Sequence, residues 1–210
     1  MSYADLGKLT KKIGTDHALA RGLWASGVHD ARVLATMIGD PGELTAKDCN
    51  AWIGEVDNDI LSGALAGFVG NSPHARARAK QWTRSKHEFV ASTGWTVLIH
   101  LTRSEAGQEE RMQQAELESY LERIETGIDK APNRARYSMK NALISIGSLG
   151  GALQRQAVAA AKRIGKVEID HGDTACKTLD ALSTIAKTVA HRKDMAARRA
   201  KKKVARRGRG

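Results

Sequence analysis

Three tryptophans recur at a fixed interval, and their spacing constrains what this chain can fold into more tightly than any other feature. Trp24 is followed after four residues by His29-Asp30, and fifty-eight residues later Trp82 is followed after four residues by His87-Glu88. Midway between them, Trp52 precedes Asn58-Asp59 at nearly the same interval. A unit of about 29 residues thus occurs three times, each with a helix ending in Trp, a short turn, and an acid opening the next helix. This period lies in the range at which helical pairs stack into a solenoid. The Trp supplies a large apolar plug between two helices, and the acid sits where the next helix has its positive end. On this reading His29 and His87 are turn residues rather than ligands or general bases.

Apolar residues elsewhere keep the same helical period, and continuous β-branched runs are nearly absent. Ala31, Leu34, Ala35 and Ile38 share one face, as do Cys49, Trp52, Ile53 and Val56. Met112, Ala115, Tyr120, Leu121 and Ile124 precede a break at Ala131-Pro132, and Met139, Ala142, Leu143 and Ile146 follow it. Two more helices fit around Leu153, Ala157, Ala161 and Ile164, and around Ala181, Leu182, Ile185 and Val189. Helix starts are marked by capping boxes at Thr45 with Asp48 and at Ser85 with Glu88, by Ser72 ahead of Pro73, and by Asp57 or Asp59 as a cap. The spacing predicts about eleven helices in an all-α, HEAT-like helical-repeat solenoid.

The chain has 210 residues, 41% of them hydrophobic, which suits a folded domain. Its longest uncharged stretch, Ile60 to Ala75, contains Asn71, Ser72 and Pro73, whereas a spanning helix needs about 18 apolar residues. No membrane partner is expected. Met1 to Ile13 has no long apolar core for a secretory leader, so a cytoplasmic, nucleoid-associated location follows. Cys49 and Cys176 offer neither a disulfide framework nor a metal signature, and are read as free thiols. Of the net charge of +11, +9 falls between His191 and Gly210, leaving the first 190 residues almost neutral. Such a tail repels itself and buries nothing. It is read as a disordered basic arm, residues 191–210, attached to a helical-repeat domain, residues 1–190. Counterion release gives a run of this density affinity for nucleic acid phosphate.

Within the body, Arg76, Arg78, Lys80, Arg84 and Lys86 form one basic row. Arg134, Arg136 and Lys140 form a second, and Arg155, Lys162, Arg163 and Lys166 a third. Stacked repeats could align such rows as one strip, extended by Arg198, Arg199, Lys201, Lys202, Lys203, Arg206 and Arg207 of the tail. Few aromatics lie outside the Trp positions, which favours duplex phosphates over stacked single strands. The segment Asp170 to Cys176 collects metal-ligating residue types without a metal spacing. It reads as a turn, with Asp173 or Thr174 capping the last helix. No metal and no cofactor are expected. No nucleophile motif is present, and Gly147 to Gly151 lacks the Lys-Ser/Thr that a phosphate loop requires.

From Leu6 to Val189 the chain resembles the DNA alkylation repair protein family, alkylpurine DNA glycosylases built from HEAT-like repeats. The segments that carry the resemblance are Leu19 to Ala35 (LARGLWASGVHDARVLA), Trp52 to Asp59, Trp82 to Leu98 and Arg136 to Gly147. Ile164 to Ala181 is similar to one subgroup. The resemblance places residue 1 inside the family's first repeat. It implies a curved solenoid with duplex DNA on a basic concave face, and a cleft that releases alkylated purines. An N3- or N7-alkylated purine is already cationic, so the chemistry needs chiefly a carboxylate and aromatic faces around an oxocarbenium-like sugar.

The family's motif reads Asn-Trp-Asp, two apolar residues, Asp. Here the segment is Asp57-Asn58-Asp59-Ile60-Leu61-Ser62, so the motif's Trp falls on Asn58 and its catalytic Asp on Ser62. A second cleft Trp falls near Asn141, and an arginine pair on Ala91 and Ser92. These replacements imply that the chain holds duplex, including damaged, DNA without excising a base, and a capped solenoid is expected to be a monomer. Two alternatives stand beside it. One is an active glycosylase using Asp59 or Asp57 as a displaced carboxylate, which an error of about 1 Å could slow on the order of a hundredfold. The other is a protein-interaction scaffold.

Overall fold

The computed structural model describes residues 1–103 and 112–207, with side chains described as far as Arg199. Eleven α-helices and one short 3-10 turn account for its regular structure, and the described residues contain no strand. The first helix, α1 (Tyr3–Ile13), is capped by Ser2, whose hydroxyl accepts from the Asp5 amide. Five helical pairs follow: α2 (His17–Ala25) with α3 (His29–Ile38), α4 (Ala46–Ile53) with α5 (Asp59–Gly70), α6 (Ala75–Trp82) with α7 (Glu88–Arg103), α8 (Gln114–Gly127) with α9 (Asn133–Gly147), and α10 (Gly151–Ile164) with α11 (Ala181–Arg207). The second helices of the pairs pack on one another in sequence, α3 on α5, α5 on α7, α7 on α9 and α9 on α11, as one continuous layer. The first helices form the other layer, where α8 packs on α10.

The 29-residue repeat corresponds to the first three pairs. Trp24, Trp52 and Trp82 each lie at or next to the end of the first helix of a pair, and all three are buried. Trp24 and Trp52 stack face to face, with ring centroids 4.3 Å apart and planes within 2°, which joins the first two repeats directly. The acids Asp30, Asp59 and Glu88 occupy the first turns of α3, α5 and α7.

Three of the expected caps form differently. Thr45 and Asp48 make the reciprocal capping box, but α7 starts at Glu88, and Ser85 accepts instead from the amide of His87. Asn58, not Asp57 or Asp59, caps α5 by accepting from the Leu61 amide at 2.9 Å. Asp180, not Asp173 or Thr174, caps α11 by accepting from the Ser183 amide at 2.8 Å. Ser72 and Pro73 precede α6 in a turn, with Ser72 Oγ accepting from the His74 amide.

The layer of second helices is joined by hydroxyl pairs. Ser62 of α5 meets Thr93 of α7 at 2.9 Å, Ser92 of α7 meets Ser138 of α9 at 2.8 Å, and Thr102 meets Ser145 at 2.7 Å. Each pair satisfies two polar atoms that the contact would otherwise leave without water. Small residues permit the close approach of α6 and α7: a Cβ on Gly94 would lie 2.5 Å from the Thr83 amide nitrogen.

Into the basic tail, α11 runs as helix to Arg207. Alanine, lysine and arginine are strong helix formers, and here their propensity outweighs the repulsion between like charges. Ile185 and Val189 are the buried anchors of α11 on the body, and Arg192 donates to the Ser148 carbonyl at 2.8 Å. From Lys193 to Arg199 every side chain is exposed.

Candidate nucleic-acid interface

Because successive helices alternate between layers, the basic rows do not line up as one strip. The α6 row lies in the first-helix layer and the α9 row in the other. On α6, Arg78 is buried and committed to the fold: its guanidinium donates to Asn50 Oδ1 and to Gln81 Oε1, and reaches the Ala46 carbonyl. Arg76 pairs with Glu116 of α8. Lys80, Arg84 and Lys86 are exposed and carry no hydrogen bond or ion pair among the described residues.

Lys80 and Arg84, together with Arg76, line a cleft of about 710 Å³ between α6 and α8. Its fourth cation, Arg123, was not singled out from the sequence. Arg123 sits over the rings of Trp95 and Tyr120, 5.2 and 5.4 Å from their centroids, and donates to the carbonyl and hydroxyl of Thr83. Burial lowers its pKa, and burial likewise raises that of the Tyr120 phenol. The cue in the sequence was the spacing of Tyr120 and Arg123, three apart on one helix, with an arginine poised over an aromatic face. Among the described residues Glu116 is the cleft's one acid, so four cations face one carboxylate.

The α10 row is tied to a neighbouring helix at one position. Arg163 binds Glu125 of α8 through both Nε and Nη2, and this contact lowers the Glu125 pKa. Lys162, Lys166 and Arg155 are exposed, and Lys166 pairs with Glu168 at 2.5 Å. The acids of α8 therefore neutralise parts of both basic helices beside it.

The α9 row is committed differently at each position. Arg134 is half-buried where α5, α7 and α9 begin: its guanidinium lies 3.3 Å from Asp59, and its amide donates to Glu88 Oε1 at 2.7 Å. Arg136 donates to the carbonyls of Glu168, Asp129 and Ala131, holding the segment after α10. Lys140 is buried. None of the three presents a free cation in the manner of Lys80.

The positions that the family resemblance tied to chemistry lie at helix contacts. Ser62 is buried against Thr93, Ala91 and Ser92 are buried between α7 and its neighbours, and Asn141 is half-buried. Asp57 is exposed and accepts from the Asn58 side chain at 2.7 Å, and Asp59 is held by Arg134. The segment from Asp170 to Cys176 is an irregular turn: Asp170 exchanges two hydrogen bonds with Asn133, and His171 lies 2.9 Å from Thr178 Oγ1. No group of three metal-ligating side chains occurs among the described residues. Both cysteines are free, Cys49 buried and Cys176 exposed. No described helix is long and apolar enough to cross a membrane.

On α11, Arg192 is tied to Ser148, and Arg198 pairs with Asp194 at 2.9 Å. Arg199 is exposed, while the side chains of Lys201, Lys202, Lys203, Arg206 and Arg207 lie outside the described residues.

Comparison with known proteins agrees with this architecture. Uncharacterized proteins of Listeria innocua and Listeria monocytogenes are each 30% identical to the chain over 192 residues, covering 89% of it and 81% of the relative. A solved structure from "a new family of proteins related to the HEAT-like repeat DNA glycosylases with affinity for branched DNA structures" superposes with a TM-score of 0.79 at 26% identity, covering 91% of this chain and 81% of that one. The fold is thus the HEAT-like helical-repeat solenoid. The family described as DNA alkylation repair enzyme matches residues 2–200, and the chain belongs to that family.

Proposed function

We propose that this chain holds DNA by its phosphates, at junctions and bends as well as along plain duplex, and does not excise a base. The observation that carries the reading is α11, which leaves the body after Arg192 as a helix running to Arg207, within a segment of ten basic residues and one acid. A second cationic surface, the cleft of Lys80, Arg84, Arg76 and Arg123, lies in the other layer of the solenoid. Two separated basic surfaces suit a ligand with more than one arm, and the solved relative is described as having affinity for branched DNA.

The disposition of the carboxylates speaks against excision. Asp59 is neutralised by Arg134, Asp57 is turned to solvent, and the position where the family's motif puts its catalytic acid is a serine enclosed in a helix contact. A cationic sugar in a groove would find no unpaired, positioned carboxylate there.

Binding of the full chain to a four-way junction and to a linear duplex, measured by fluorescence anisotropy between about 50 and 200 mM salt, tests the reading. Affinity should fall steeply with salt for both ligands and be higher for the junction. Deleting residues 191–210 should flatten the salt dependence, since each phosphate contact contributes a slope of about −0.9. Lys80→Glu with Arg84→Glu in the deleted chain should remove most of what remains. Salt-independent binding, or no loss on deletion, would contradict the proposal.

A further inference from the structure

A cavity of about 650 Å³ lies between α9, α10, the segment 165–180 and the first turn of α11. Its size falls within the range of small-molecule sites, about 300–1,000 Å³. Its walls are mainly apolar and include Leu143, Ile164, Val167, Leu179 and Leu182. One cation lines it from within the core, Lys140 of α9, only 6% exposed.

The other buried cation of the body is held at its two terminal nitrogens, since Arg78 Nη1 and Nη2 find Asn50, Gln81 and the Ala46 carbonyl, while its Nε has no partner among the described residues. The Lys140 ammonium has no hydrogen bond or ion pair to any described residue. Burial lowers its pKa, and the nearest opposing influence is the carboxylate of Asp180, which is itself occupied in capping α11. At the rim, Lys166 is engaged by Glu168. Lys140 is enclosed by the core while its ammonium opens on the cavity without a partner among the described residues, so an anion arriving there would pair with it where water is scarce.

We propose that this cavity binds a small amphipathic monocarboxylate, with its headgroup on Lys140 Nζ and its hydrocarbon body against Leu143, Ile164, Leu179 and Leu182. A single inward cation matches a single negative charge. Asp180, whose carboxylate acts on Lys140 from the cavity wall, disfavours a second negative charge at that headgroup, as in a phosphate monoester, while Lys162 and Lys166 stand at the exposed rim. The apolar walls supply the remaining affinity by burying the chain. This site is independent of phosphate recognition by Lys80, Arg84 and α11.

Isothermal titration of the full chain with decanoate, decanol and decyl phosphate, each below its aggregation limit, provides the test. Decanoate should bind one per chain and at least about tenfold more tightly than either decanol or decyl phosphate. Lys140→Met should abolish the advantage of decanoate over decanol, whereas Lys187→Met, on the exposed face of α11, should leave it unchanged. Equal affinity for decanoate and decanol, or an equal loss in the two variants, overturns the proposal. Should Lys140→Met fail to fold, the comparison of the three ligands on the unmodified protein decides alone.

Discussion

The hydroxyls of Ser62 and Thr93 meet at 2.9 Å in the buried contact between α5 and α7, at the position where related glycosylases are expected to carry a carboxylate. Introducing that carboxylate would place a charge where no cation faces it. Ser62→Asp is expected to lower stability by about 3 kcal/mol, read from chemical denaturation. It is also expected to leave base release at the spontaneous rate. A stable Ser62→Asp variant that excises would show that this position opens to a DNA groove.

Close packing of α6 on α7 makes a second expectation specific. A Cβ at Gly94 would lie 2.5 Å from the Thr83 amide nitrogen and 2.7 Å from the Trp82 carbonyl carbon, both backbone atoms. Gly94→Ala should therefore cost roughly 1–3 kcal/mol or more through overpacking. Gly63, also in a helix, has nothing within 4 Å of its would-be Cβ, so Gly63→Ala should stabilise by about 0.5–1 kcal/mol through helix propensity alone. Paired urea denaturations check the opposite signs.

The start of α9 depends on α7. Glu88 Oε1 accepts from the Arg134 amide at 2.7 Å, a charge-assisted cap supplied from another helix. Glu88→Ala should cost about 1–2 kcal/mol, and amide exchange at Arg134 should quicken. Unchanged exchange there would mean that α9 is held by packing alone.

His100 makes one part of the pH dependence predictable. Burial between α5 and α7, aided by the positive charge of Arg103, holds its imidazole below the ordinary value of 6.5. In the unfolded chain the ring takes up a proton as pH falls through 6.5, while the folded chain resists until lower pH, so stability declines on acidification from pH 7. Substituting His100→Gln should flatten the fall in Tm between about pH 7 and pH 5. An unaltered slope would assign that loss to other groups.

The features legible in the sequence were the local ones. Each tryptophan, turn and following acid lies within seven or eight residues, and those units set the helices and their pairing. What escaped is decided between distant segments. Glu88 serves Arg134 rather than Ser85 because α7 and α9 begin side by side, which no local pattern encodes. The three basic rows look alike in the sequence, yet Arg78 is buried, Arg136 binds carbonyls and Lys80 is exposed, because each meets a different neighbouring helix. The helical course of α11 through the basic segment follows from the propensity of its Ala, Lys and Arg residues, which charge density alone does not reveal.

The central claim, that DNA is held without base excision, is tested most directly by single-turnover base release from a duplex carrying N7-methylguanine, at protein concentrations where anisotropy shows the duplex fully bound. The account predicts release no faster than in the absence of protein, for the unmodified chain and for Asp59→Asn alike. Release well above that rate, abolished by Asp59→Asn, would contradict it and make Asp59 the displaced catalytic carboxylate.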